Sequence, residues 1–161
     1  MAVSVFYTLR RQQWIPRSIE EVFAFFSNAA NLAAITPPWL GFHMLTPGDV
    51  RMTAGTELRY RLKWHGVPVS WTTVIRQWNP PVGFSDAQMA GPYKLWHHTH
   101  RFEAWQDGTR MTDVVRYRLP MGWMGRAVHA VKVRRDLEAI FDYRRDRIGA
   151  LFPSPTRTEA R

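Results

Sequence analysis

Between Glu57 and Ile75 the chain changes character at every second position. Leu58, Tyr60, Leu62 and Trp64 alternate with Glu57, Arg59, Arg61 and Lys63, and Val69, Trp71, Thr73 and Ile75 then resume the alternation. A period of two puts successive side chains on opposite faces of a strand, so each run buries one face and wets the other. The HGVP stretch between the runs is long enough only for a turn, which makes the pair an antiparallel hairpin. With Gly66-Val67 as a two-residue loop, Trp64 faces Val69, Leu62 faces Trp71, Tyr60 faces Thr73 and Leu58 faces Ile75. Glu57 then lies opposite Arg76 on the wet side. A slip of one residue would put Trp71 in water, so the pattern selects which faces meet.

A half-buried hairpin needs more strands and a second layer. Val3 to Trp14 reads as a first strand, and PRSIEEVFAFFSN then opens a helix. Ser18 is its N-cap, Glu21 completes a capping box, and Ile19, Val22, Phe23 and Phe26 form its buried stripe. Asn28 or Asn31 restarts a second short helix through Ala34, which the TPP of Thr36 to Pro38 stops. Further strands follow over Val82–Ala90, Gly91–Trp105 and Arg110–Leu119. Gly125 to Phe152 is a long helix with Val133, Leu137, Ile140, Phe141, Ile148 and Leu151 as its apolar stripe. Arg134, Arg135, Glu138, Asp142, Arg145 and Asp146 occupy its other faces. This order gives an α+β fold: a curved antiparallel sheet of about seven strands wrapped round a long C-terminal helix, with two short helices after the first strand. One domain over 1–152 and a disordered tail over 153–161 are expected.

Composition excludes some chemistry. The chain has no cysteine, so disulfides, cysteine-ligated zinc and a thiol nucleophile are out. Its opening MAVSVFYTLRRQQW lacks the features of a signal peptide, and no segment approaches the roughly 20 apolar residues of a membrane span. A cytoplasmic protein without integral membrane association is the default expectation. The net charge of +9 comes from 19 Arg against 3 Lys. Arg51, Arg59, Arg61, Arg76, Arg101, Arg116 and Arg118 are spread over many segments, so nucleic acid is not the expected partner. Eight tryptophans exceed what packing a small core requires and suit either a core or a cavity wall.

GPYKLWHHTHRFEAW, Gly91 to Trp105, holds three of the six histidines. Strand periodicity puts Trp96, His98, His100 and Phe102 on the inner face and His97, Thr99, Arg101 and Glu103 on the outer one. An Asp107-Gly108 turn would set Phe102 opposite Asp113, His100 opposite Val115 and His98 opposite Tyr117. The inner set of that next strand is then Met111, Asp113, Val115, Tyr117 and Leu119, with Arg116 and Arg118 outside. Asp113 falls diagonal to His100, and a carboxylate on an apolar face needs such a partner. Three readings stay open for His98, His100, Asp113 and Tyr117: a structural network, a polar anchor in a ligand cavity, or a catalytic group. Two histidines two apart on a strand can share a metal, with Asp113 as third ligand, but the spacing is too common to expect one. Asp86 and Gln88 face outward if Gly91-Pro92 is a two-residue turn and inward with Phe84, the side favoured here, if the loop is one residue longer. His43, His65 and His129 show no partner in sequence.

Several of these segments resemble the helix-grip superfamily often called SRPBCC, which includes START lipid-binding domains, plant pathogenesis-related allergens and bacterial polyketide cyclases. The likeness is carried by VFAFFSNAANLAAITPP (Val22 to Pro38), FSDAQMAGPYKLWHHTHRFE (Phe84 to Glu103), TDVVRYRLPMG (Thr112 to Gly122) and, more weakly, IFDYR (Ile140 to Arg144). It is similar in particular to bacterial domains that occur alone or fused to an NAD-dependent epimerase-like domain. The resemblance spans about Val3 to Phe152 and implies the fold, whereas the superfamily's functions range from lipid carriers to cyclases.

The expected function is binding of a small hydrophobic or amphipathic ligand between the sheet and the C-terminal helix. The expected lining is Tyr60, Leu62, Trp71, Thr73, Asp86, Trp96, His98, His100, Asp113, Tyr117, Leu137 and Phe141. The alternatives are a cyclase- or dehydratase-like enzyme with His98, His100 and Asp113 as catalytic residues, and a basic module for RNA, anionic membrane or protein. No cofactor or metal is expected, and the oligomeric state is open.

Overall fold

The computed structural model describes residues 6–48, 50–120, 127 and 129–154; the expected tail beyond 154 and the expected start of the long helix at Gly125 lie outside the described residues. Strand β1 (Tyr7–Ile15) leads into helix α1 (Ile19–Phe26), then two 3₁₀ segments, Ala29–Ile35 and Pro38–Leu40. A two-residue edge strand β2 (His43–Met44) precedes β3 (Glu57–Trp64), β4 (Val67–Asn79), β5 (Gly83–Ala90), β6 (Leu95–Trp105) and β7 (Gly108–Arg118). A π-helical turn over His129–Val133 runs into helix α2 (Arg134–Leu151).

The seven strands form one sheet in the order β1-β7-β6-β5-β4-β3-β2, every neighbouring pair antiparallel. The first strand thus pairs with the last, and α2 packs against the inner face. This is the α+β helix-grip architecture. Two register shifts in β4, at Thr72/Thr73 and Ile75/Gln77, are of the kind that bends a strand and helps a sheet curve round a helix.

Ser18 caps α1 as its sequence implies, its Oγ accepting the Glu21 N–H at 3.3 Å. Ser18→Ala removes that acceptor and is expected to cost about 1 kcal/mol, a fall of about 2–4 °C in melting temperature by calorimetry. Val22 and Phe23 are buried beneath the helix, where they join Ile15, Phe84, Phe102, Met111 and Ile148 in one cluster. Leu9, Val115 and Tyr117 meet Val133 of the π-helical turn and Leu137 and Phe141 of α2 in a second. Leu151, expected in the buried stripe, is instead exposed at the last residue of the helix.

Both hairpin registers differ by two residues from the sequence expectation. In the first, Trp64 pairs with Val67, Leu62 with Val69, Tyr60 with Trp71 and Leu58 with Thr73. The loop is His65-Gly66, at φ 49° and 82°. Both central residues of this kind of tight hairpin turn need positive φ, which glycine adopts freely and histidine tolerates. In the second, the loop is Gln106-Asp107 rather than Asp107-Gly108: Phe102 pairs with Met111, His100 with Asp113, His98 with Val115 and Trp96 with Tyr117. Gly108 is there for a different reason, since a Cβ on it would fall onto the Ile15 carbonyl oxygen and the Trp14 ring. A shift of two keeps every side chain on its face, so the inner and outer sets are those read from the sequence.

Candidate functional site: a cavity with an imidazole–carboxylate group in its wall

Between the sheet and α2 lies a cavity of about 370 Å³. Strands β3 and β4 supply Tyr60, Leu62, Trp71 and Thr73 to its wall, β5 supplies Phe84 and Asp86, and β6 supplies Trp96, His98 and His100. Leu137, Ile140, Phe141 and Arg144 face it from α2, and Phe26, Leu32 and Ile35 close it from α1 and the first 3₁₀ segment. Trp64, Trp71 and Trp96 line it, whereas Trp14, Trp39 and Trp105 are exposed. With Trp78 packed against Phe23 and Phe84 of the core, the described tryptophans are divided among wall, core and surface.

Of the twelve residues expected in the lining, Asp113 and Tyr117 stand behind it. Tyr117 is covered by Tyr93 and Trp96, whose rings lie 5.8 and 6.1 Å away. Asp113 is buried beneath the two histidines, because the true register puts it directly across from His100. Asp86 does face the cavity: β5 pairs it with His98, and the turn to β6 is longer than two residues. Gln88 instead holds that turn, donating to the Tyr93 carbonyl at 2.7 Å and accepting the Tyr93 N–H at 3.2 Å.

Three adjacent strands thus bring two carboxylates and two imidazoles onto one patch. Asp113 Oδ1 is 3.0 Å from His98 Nε2 in a hydrogen bond. His100 Nδ1 lies 2.8 Å from the same oxygen, an ion-pair distance at too oblique an angle for a proper hydrogen bond. On the cavity side, Asp86 Oδ2 is 4.0 Å from His98 Nδ1 and 3.6 Å from His100 Nε2, beyond hydrogen-bond reach. Thr73 Oγ1 steadies Asp86 through Oδ1 at 3.1 Å. The rings themselves are packed: His100 stacks on Phe84 at 4.3 Å, and His98 meets the edge of Phe141 at 5.6 Å.

The electrostatics separate the two histidines. Burial and the charge of His100 keep His98 below its ordinary pKa, against the pull of Asp113 and Asp86. Burial acts in the same sense on His100, but Asp113 and Asp86 outweigh it and raise its pKa. Burial pushes both carboxyls up, and the imidazoles beside them more than reverse it, holding Asp86 and Asp113 below the usual carboxylate range. His100 is thus the more basic imidazole of the pair, and both carboxyls are the more acidic for lying beside the rings.

Other contacts near the cavity were not read from the sequence. His65, expected without a partner, lies 2.8 Å from Asp136 Oδ2 through Nε2, and Trp64 Nε1 donates to the same oxygen at 2.8 Å. This pins the β3–β4 turn to the start of α2 at one end of the cavity. Arg144 has no carboxylate within ion-pair distance among the described residues, while its guanidinium sits 5.4 Å over the Phe141 ring. A signal for it existed, since Leu137, Phe141 and Arg144 fall at helical spacing on one face. Trp71 Nε1 is a buried donor without a hydrogen-bond partner among the described residues.

A family model described as polyketide cyclase / dehydrase and lipid transport matches residues 15–141. Solved structures share the fold at low identity. A Chromobacterium violaceum protein is 12% identical with a TM-score of 0.71, over 92% of this chain and 98% of that one. A Thermus thermophilus protein is 19% identical with a TM-score of 0.64, over 90% and 99%. The nucleoside-diphosphate sugar epimerase of Corynebacterium glutamicum is 21% identical with a TM-score of 0.63, over 87% of this chain and 28% of that one. No curated protein matches the sequence. Among the described residues no helix is long and apolar enough to cross a membrane.

Proposed function

The chain belongs to the polyketide cyclase / dehydrase and lipid transport family, and from that premise we propose that it binds a small amphipathic molecule between sheet and helix. The observation that carries this is the cavity of about 370 Å³, walled by aromatic and branched side chains with its polar groups gathered in a few places. Volumes of about 300–1,000 Å³ with that division of wall chemistry are typical of small-molecule sites. Apolar burial supplies affinity, while the polar groups orient the ligand. Arg144, at the cavity wall and free of carboxylate partners among the described residues, suits an acidic or phenolic oxygen on the ligand.

The test is fluorescence titration with anilinonaphthalene sulfonate, an apolar ring system bearing an anion. Saturable one-to-one binding is expected, and Leu62→Trp, which fills part of the cavity from β3, is expected to weaken it by about tenfold or more while the fold survives by circular dichroism. Equal affinity in the two proteins would place the probe elsewhere and remove support for the cavity as the site.

A second reading, proton-transfer catalysis of the cyclase or dehydratase kind, is favoured by one specific feature. His98 and His100 line the cavity, and Asp86 stands too far from either cavity-side nitrogen for a hydrogen bond. A general acid or base has to reach its substrate in this way.

A further inference from the structure

Asp86, His98 and His100 do not pack as a hydrogen-bonded core network would. Asp86 Oδ2 faces His98 Nδ1 at 4.0 Å and His100 Nε2 at 3.6 Å, and the three atoms all lie within 4.8 Å of one another. These separations are too long for direct hydrogen bonds and a little wider than the edge of a coordination shell. An ion held at about 2.0–2.1 Å from each donor would set them about 3.3 Å apart. We propose that Asp86 Oδ2, His98 Nδ1 and His100 Nε2 form a binding site for a divalent first-row transition ion, open on its remaining side to the cavity.

The surroundings fit such a role from behind. Metal-binding histidines generally give their second ring nitrogen to a carboxylate, which fixes the tautomer and raises the basicity of the donor nitrogen. Asp113 does this for His98, with Oδ1 3.0 Å from His98 Nε2 in a hydrogen bond, and its charge stands 2.8 Å from His100 Nδ1 as well. The proton of a neutral His98 is thereby held on the Asp113 side, so that its lone pair falls on the cavity side, and the Asp113 charge favours the same tautomer of His100. Thr73 Oγ1 holds Asp86 by Oδ1 and leaves Oδ2 for the ion.

Charge and donor type narrow the ion. Two neutral imidazoles with two ionised carboxylates carry a formal charge of −2, which a divalent cation balances. Imidazole nitrogens suit zinc, iron, nickel and copper, whereas calcium and magnesium take all-oxygen shells. Three protein ligands with one open side is the pattern of a site that accepts an exogenous ligand rather than a closed structural site. The open side here is the cavity, so a ligand oxygen could complete the shell. The three ligands stand on β5 and β6 alone, so the site does not depend on what fills the cavity.

The experiment is titration of untagged, chelator-stripped protein with cobalt(II) chloride, followed by visible absorption. One equivalent of tight binding is expected, with the intense d–d bands of a low-coordinate site, and displacement by zinc(II). Asp86→Asn and His100→Gln, each checked for folding by circular dichroism, are expected to weaken binding by at least about tenfold. His65→Ala, which removes the separate His65–Asp136 pair, is expected to leave it unchanged. No stoichiometric cobalt binding to the parent protein overturns the proposal. So does binding that survives Asp86→Asn and His100→Gln, or that His65→Ala abolishes. Anilinonaphthalene sulfonate binding to the stripped protein is read separately, so loss of either conclusion leaves the other standing.

Discussion

Asp113→Ala is expected to destabilise the protein by about 3–5 kcal/mol, measured by urea unfolding followed through tryptophan fluorescence. Asp113 is buried at 4% exposure, with both histidines on one of its oxygens. Removing it takes the only carboxylate within 3.0 Å, among the described residues, from two buried imidazoles whose centroids lie 3.9 Å apart, and it strands the His98 Nε2 donor. The cost therefore comes from stranded polar groups more than from the carboxylate's own attraction, since a buried ion pair as a whole gains little over apolar packing. Asp113→Asn keeps the volume and one acceptor oxygen and should lose clearly less than the alanine variant. A loss below about 1 kcal/mol for Asp113→Ala, the value of an ordinary exposed pair, would show that the two histidines do not depend on this carboxylate.

The second large effect is mechanical. Phe102 is 1% exposed at the centre of the sheet's inner face, with ring centroids 5.9 Å from Phe23, 5.5 Å from Phe26 and 6.4 Å from Phe84. It joins β6 to α1 and closes the layer beside the cavity. Phe102→Ala is expected to cost about 3–5 kcal/mol, because three rings that interlock cannot all collapse into the space left. For a chain of this size that is a fall of roughly 10–15 °C in melting temperature. Phe102→Leu should fall in between. A calorimetric shift under a few degrees for the alanine variant would mean the aromatic group repacks, contrary to a close-packed core.

The fold was legible because each element carries its own local signal. Ser18 and Glu21 mark the start of α1, the TPP segment marks the end of the first 3₁₀ segment after it, and Leu137 and Phe141 mark the buried side of α2. Strand alternation assigned His98 and His100 inward, and both are buried. The site was legible only in part. Asp113 was recognised as a partner but misplaced into the lining. Asp86 depended on the length of a loop. The Trp64–His65–Asp136 contact joins residues about seventy positions apart and leaves no local trace.

What the sequence determined by itself is parity. Alternation at period two decides which face a residue takes, and burial makes a one-residue slip costly enough to exclude. The GPYKLWHHTHRFEAW strand was divided correctly on that ground alone. Parity says nothing about a shift of two, which moves every partner along the strand without turning any side chain over. Only the tertiary structure decided that step, through the positive φ of His65 and Gly66 in one turn and of Gln106 in the other. The same step carried Asp113 from diagonal to directly opposite His100, and so brought one carboxylate onto both imidazoles. Whether the space above them is filled or open is likewise a tertiary property, set by how far the curved sheet stands from α2.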